Sequence, residues 1–175
     1  MSTFDPQDFT PWPKGNQFED FSEGQVLEHH WGRTINAGDN SLFSAAMLHF
    51  NPLYFNAAYA QALGHPSEAV NPMLVLCTAV GMSVEDLSEA GGPFLGVNDC
   101  QFHRAVYPGD TISCRSTVLA MRESASRPKE GIVTWQTDVF NQRDELVLSY
   151  TRTNLSAKRG SPRADGSSGS GRGAS

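Results

Sequence analysis

The spacing of apolar side chains along this chain shifts from a strand period to a helical one and back. Val26 to Ile35 predicts a strand with Trp31, Arg33 and Ile35 on one side. Asn36 then reads as a helix N-cap, and Asp39, three residues on, as the other half of a capping box rather than a catalytic acid. Leu42, Phe43, Ala46 and Met47 recur at helical spacing and are expected to face the core. Tyr54 to Leu63 predicts a second short helical piece ended by Gly64. Asn71-Pro72 is a strong helix start, with Asn as N-cap and Pro in the first turn. The run it opens, Met73 to Val84, is apolar nearly all round, so it must be enclosed, and it is too short to span a bilayer.

Beyond Gly91-Gly92-Pro93 the pattern becomes that of strands: Phe94 to Phe102, Thr111 to Met121, Ile132 to Phe140 and Leu146 to Leu155. Ile112, Cys114, Ser116 and Val118 share one face. Tyr107-Pro108-Gly109-Asp110 predicts a tight turn and Asn141-Gln142-Arg143-Asp144 a hairpin. One enclosed helix, a strand before it and antiparallel strands after it predict an α+β fold, a curved antiparallel sheet wrapped around a central apolar helix. Such a sheet leaves edges that an identical subunit can pair with, so a homodimer or larger homo-oligomer is expected, with a heteromer left open.

The ends differ from this body. Residues 1–20 form a Pro- and aromatic-rich arm (Phe4, Phe9, Trp12, Phe18) expected to lie against the protein or a neighbouring subunit. Residues 21–157 form one domain, and 158–175 read as a disordered Ser/Gly/Arg tail. A net charge of −6 argues against general nucleic-acid binding. The start of the chain lacks the basic and apolar regions of a signal peptide, and no apolar run reaches the length of a membrane span. Cys77, Cys100 and Cys114 show neither a disulfide framework nor metal-ligand spacing, so the expected compartment is cytoplasmic, with no metal; Cys77 reads as a small buried side chain.

Candidate chemistry gathers at His49-Phe50-Asn51-Pro52-Leu53-Tyr54, a turn between two helical pieces whose imidazole and phenol can both carry protons. Three segments, Gly32-Arg33-Thr34-Ile35, this turn, and Phe102 with Val106-Tyr107-Pro108-Gly109-Asp110, together resemble the MaoC-like (R)-specific enoyl-CoA hydratase/dehydratase family of the hotdog fold, over about Phe21 to Leu155. Asp39 to Phe43 and Gly81 to Val84 are similar to its mesaconyl/itaconyl-CoA branch. The resemblance implies an acyl-CoA or acyl-carrier thioester as substrate, no bound cofactor, and water added or removed across the 2,3-double bond. In the family an Asp and a His of the turn form the catalytic dyad, and a glycine N–H at the start of the enclosed helix holds the thioester oxygen. Here those positions are His49, Tyr54 and Pro72, and Pro72 has no N–H.

On this reading His49 and Tyr54 are the candidate catalytic pair, with His49 as base and Tyr54 donating a proton or orienting water. Asn51, Asn71, Met73 (through its N–H at the helix tip) and Arg104 (toward a CoA phosphate) are the candidate substrate-binding residues. Two alternatives compete. One is a catalytically silent subunit that binds acyl-CoA or supports a partner. The other is a thioesterase using a carboxylate such as Glu68 or Asp99.

Overall fold

The computed structural model describes residues 15–161. Phe4, Phe9 and Trp12 of the expected arm, and the tail beyond Ser161, lie outside these residues. Five strands form one antiparallel sheet: β1 (Val26–Thr34), β2 (Phe94–Phe102), β3 (Thr111–Glu123), β4 (Glu130–Asn141) and β5 (Leu146–Ala157). Their order is β1-β3-β4-β5-β2, which leaves β1 and β2 as the edges. The helices α1 (Ala37–Ala46), α2 (Ala57–Ala62), α3 (Pro72–Met82) and α4 (Val84–Leu87) all fall between β1 and β2 in the chain. No helix among the described residues is long and apolar enough to cross a membrane.

The inner face of the sheet packs on α3. Ile112 and Cys114 of β3, Val139 of β4, and Val147, Leu148 and Tyr150 of β5 meet Val75, Ala79 and Met82. The alternation read from the sequence holds in β3, where Ile112, Cys114, Ser116 and Val118 are all buried. A second cluster, around Trp135 and Val133, closes the other end of the sheet, with Phe21 edge-on to Trp135 at 5.3 Å. Phe18 packs beside it. The chain keeps defined contacts past residue 157: Lys158 pairs with Glu123 and Arg159 with Asp20.

Two expectations about packing are corrected. The faces of α1 are reversed, because Asn40 and Ser44 are buried while Leu42 and Met47 are exposed. The hydrogen bonds of Asn40 set the rotation of the helix and outweigh the pull of its apolar stripe, since a buried amide left without partners costs more than an exposed leucine. Cys77 is exposed, not buried. It lies on the side of α3 facing away from the sheet, with Met73, and in a lone chain that side stays open. The capping box holds: Asn36 Oδ1 accepts from Asp39 N at 2.9 Å and Asp39 Oδ2 from Asn36 N at 3.2 Å. The Asn36 N–H, followed by the Arg33 guanidinium, keeps the Asp39 carboxyl below the usual carboxylate range.

Arg152 is buried on β5. Its guanidinium donates to Asn154 Oδ1, Ser83 Oγ and Ser88 Oγ at 2.9, 3.0 and 2.6 Å. Ser83 is the C-cap of α3, so the negative end of the helix dipole offsets the buried charge.

Burial pushes Cys114 from an ordinary 9.0 to about 12 and Tyr150 from 10.0 to about 12. The unfolded chain therefore loses these protons first as pH rises, while the folded chain keeps them. Stability is whole below pH 9 and falls between about pH 9 and 12. Urea midpoints measured across that range should decline, and Cys114→Ala should remove the part that begins near pH 9.

Candidate active site at the tip of the central helix

The corner ahead of α3 is built from two chain-end motifs. α1 closes with Leu48 N–H donating to Ala45 O at 3.1 Å and His49 N–H to Ser44 O at 2.8 Å. This pair of bonds defines a Schellman turn and requires a left-handed residue at Leu48, where φ is +57°. Glycine usually fills that position; a leucine there costs about 1–2 kcal/mol. The turn releases His49 from the helix. Asn51 then caps a 3-10 turn over Pro52–Tyr54, its Oδ1 accepting from Leu53 N at 3.0 Å.

Two buried asparagines join this corner to α3. Asn40 Nδ2 donates to Tyr54 O at 2.6 Å and to Ala69 O at 3.0 Å, and Asn40 Oδ1 accepts from Asn71 N at 2.8 Å. Asn71 Oδ1 accepts from Met73 N at 3.0 Å. Asn71 Nδ2 faces Ser44 Oγ at 3.2 Å and His49 Nδ1 at 3.0 Å. Asn40 therefore anchors Tyr54 through its backbone, and Asn71 anchors His49 through its ring.

The same network occupies the helix tip. Pro72 has no N–H, Met73 N–H is bonded to the Asn71 side chain, and the N–H groups of Leu74 and Val75 donate to Asn71 O at 2.9 and 3.3 Å. Met73 N–H, read from the sequence as a donor for the thioester oxygen, is engaged as a cap. Asn51 likewise spends its carbonyl on its own turn.

A cavity of about 260 Å³ opens beside this tip. Val70 and Pro72, the neighbours of Asn71, line it together with Tyr54, His65, His103 and Arg104. His49 is not among the lining residues; it meets the tip from the side of Asn71. Arg104 has Glu145 at 3.9 Å and a largely exposed guanidinium, and among the described residues no carboxylate lines the cavity. His65 and His103 are brought here by contacts far apart in the chain. His65 Nδ1 lies 2.9 Å from Tyr107 Oη, 42 residues away, and His103 Nε2 lies 2.8 Å from Ser149 Oγ. No local spacing announces either pairing.

A larger cavity, about 830 Å³, lies elsewhere, between β1, α1 and α3. Trp31, Arg33 and Ile35 line it, as do Leu42 and Phe43, the apolar residues of α1 expected in the core. Its charged groups, Arg33 and Asp39, neutralise each other at 3.0 Å. Size alone does not make it the reactive site, because it offers no group able to exchange protons near neutral pH. The carboxylates considered for thioester hydrolysis, Glu68 and Asp99, line neither cavity. Asp86, His29 and Ser116 do stand in relay order, with His29 Nδ1 2.6 Å from Asp86 Oδ2 and His29 Nε2 2.8 Å from Ser116 Oγ. Ser116 is fully buried and hydrogen-bonded onward to Thr137, so this relay ties β1, β3, β4 and α4 together and presents no nucleophile.

A five-stranded antiparallel sheet around an apolar helix, with proton-carrying side chains at the tip of that helix, is the hotdog architecture of the MaoC-like family. The mesaconyl-CoA hydratase profile matches residues 8–174, and the chain belongs to that family. It is 40% identical over 154 residues to the mesaconyl-CoA hydratase of Haloarcula hispanica, covering 87% of this chain and 43% of the relative. It is 36% identical to the β-methylmalyl-CoA dehydratase of Chloroflexus aurantiacus, covering 83% and 41%. Among solved structures it resembles the R-hydratase PhaJ1 of Pseudomonas aeruginosa with a TM-score of 0.68 and 25% identity, covering 81% of this chain and 86% of that one. The chain thus spans less than half the length of the curated relatives it matches.

Proposed function

We propose that this chain is a hotdog unit of an enoyl-CoA hydratase/dehydratase, adding or removing water across the 2,3-double bond of a short, branched, mesaconyl-type thioester. The cavity at the tip of α3 carries the reading: it places a phenol (Tyr54), two imidazoles (His65, His103) and a guanidinium (Arg104) around one space. At about 260 Å³ it falls below the roughly 300–1,000 Å³ typical of drug-sized ligand pockets and suits a short acyl group. Arg104 is available to a substrate carboxylate or a CoA phosphate. In the hydration direction, His65, steadied by Tyr107, takes a proton from water, and Tyr54 supplies one to Cα. The open side of α3 is covered by a second copy of the chain.

One observation favours the alternative of a silent, acyl-binding subunit. Every backbone N–H in the first turn of α3 is bonded within the chain. An assay of the purified chain with mesaconyl-, itaconyl- and crotonyl-CoA separates the readings. Loss of enoyl absorbance supports the hydratase. Tight binding without turnover supports the silent subunit, and release of free thiol would indicate hydrolysis.

A further inference from the structure

We propose that Trp12 of the N-terminal arm docks into a cavity of about 350 Å³ on the body of its own chain, lined by Ala90, Gly91 and Gly92, by Pro128 and Lys129 of the β3–β4 turn, and by Ala157 at the end of β5. This cavity shares no lining residue with the two described above. The root of the arm runs along its rim. Phe21 meets Trp135 edge-on, and Phe18 lies against Gly131, where a Cβ would overlap the phenyl ring. Gly131 adjoins Glu130, a lining residue of the cavity. Asn16 Nδ2 then donates to Asp86 O at 2.9 Å. Gly15 crosses the backbone of Ala90 so closely that a Cβ would stand 2.6 Å from Ala90 N. Its φ of +76° is one that glycine adopts without steric cost. The chain thus enters the described residues at Gly15, in contact with a lining residue of the cavity.

Length and chemistry select the occupant. Trp12 is three positions from Gly15, within about 10 Å of extended chain, whereas Phe9 and Phe4 lie roughly twice and nearly four times as far. Pro11 and Pro13 flank it. Each proline fixes its own φ and restricts the residue before it, so ordering this segment costs little conformational freedom. An indole brings a large apolar surface with a polar N–H, which suits a mostly apolar cavity with one open side. Arg127 and Lys129 at the lining favour an aromatic occupant over an aliphatic one, because a cation is drawn to the face of an indole. Ser161 lines the cavity too, but residues 162–175 offer no apolar side chain larger than Pro162. The mesaconyl-CoA hydratase profile begins at residue 8, so Trp12 falls within the matched region. Docked here, the indole clasps the link between α4 and β2 to the β3–β4 turn and the end of β5. The clasp is remote from the tip of α3 and independent of the chemistry proposed there.

Two measurements on the full chain test the proposal. The first is the rate at which trypsin cuts after Lys14, read by mass spectrometry. A docked Trp12 protects that bond, and Trp12→Ala speeds the cut by about 10–30-fold, the loss of one well-buried aromatic anchor. Trp12→Phe, which keeps a ring for the cavity, retains most of the protection. The second measurement needs no substitution in the chain observed. In isotope-labelled protein with labelled methyl groups, the indole protons of Trp12 show nuclear Overhauser effects to the methyls of Ala90 and Ala157, and Trp12→Phe identifies the indole signals by removing them. A mixture of labelled and unlabelled chains separates contacts within one chain from contacts between two. Three results overturn the proposal. The first is a parent cut after Lys14 as fast as Trp12→Ala. The second is Trp12 contacts to Leu42 and Thr78, which place the arm in the larger cleft along β1 instead. The third is contacts to Ala90 and Ala157 that arise only between chains, which make the occupant the arm of a second copy.

Discussion

Tyr54→Phe should lower kcat for mesaconyl-CoA hydration by about 10²–10⁴-fold, the range of a lost general acid. The substitution removes one oxygen from a side chain that lines the cavity. It leaves the anchoring intact, because Asn40 holds Tyr54 by its carbonyl oxygen and Asn51 holds the turn through Leu53. Stability and KM should therefore change little, and the loss should fall on kcat. Steady-state kinetics with a parallel thermal melt check this. A kcat within threefold of the parent would remove Tyr54 from the proton path and leave His65 and His103 as the groups to test.

Cys77→Asp should break the proposed association of two copies across the open side of α3. α3 buries Val75, Ala79 and Met82 against the sheet but leaves Met73 and Cys77 open. A helix apolar on every side is stable in water only if the second side is covered as well. A carboxylate placed at the centre of such a contact would be buried without a partner, at a cost of several kcal/mol. Each 1.4 kcal/mol is tenfold in the dissociation constant, so association should weaken by at least about 10²-fold. Light scattering after size exclusion reads the mass directly. Thiol titration is an independent check, since Cys77 should be shielded in the parent at high concentration and should react on dilution. A parent protein that is monomeric at micromolar concentration, with Cys77 fully reactive, would show that this face has no cover in solution.

Much of the fold was legible because local rules and global packing agree. The alternation in β3 and β4, the Asn36–Asp39 box and the Asn71-Pro72 start all point the same way, and each is formed. The rotation of α1 was not legible. Its apolar stripe is real, but the Asn40 side chain has three partners on two distant segments, Tyr54 and the stretch from Ala69 to Asn71, and only the fold brings them together. The site was legible in part for the same reason. His49 and Tyr54 lie on one short turn and Asn71 is legible as the N-cap of α3, but the contact of Asn71 with His49 spans 22 residues and only Tyr54 of the pair lines the cavity. His65 and His103 owe their place to Tyr107 and Ser149, distant in the chain, so no motif marked them. The engagement of Met73 N–H was hidden as well, because the side-chain cap that satisfies it is the residue that makes the helix start recognisable.

The central claim is that the thioester docks at the tip of α3, not in the larger cleft along β1. Titrating isotope-labelled protein with crotonyl-CoA and following side-chain resonances tests this directly. The account predicts that Tyr54, His65 and Arg104 shift together while the Trp31 indole N–H, bonded to Glu85 at 3.1 Å beside the larger cleft, stays in place. Shifts confined to Trp31 and Thr78, with Tyr54 and His65 unmoved, would contradict it.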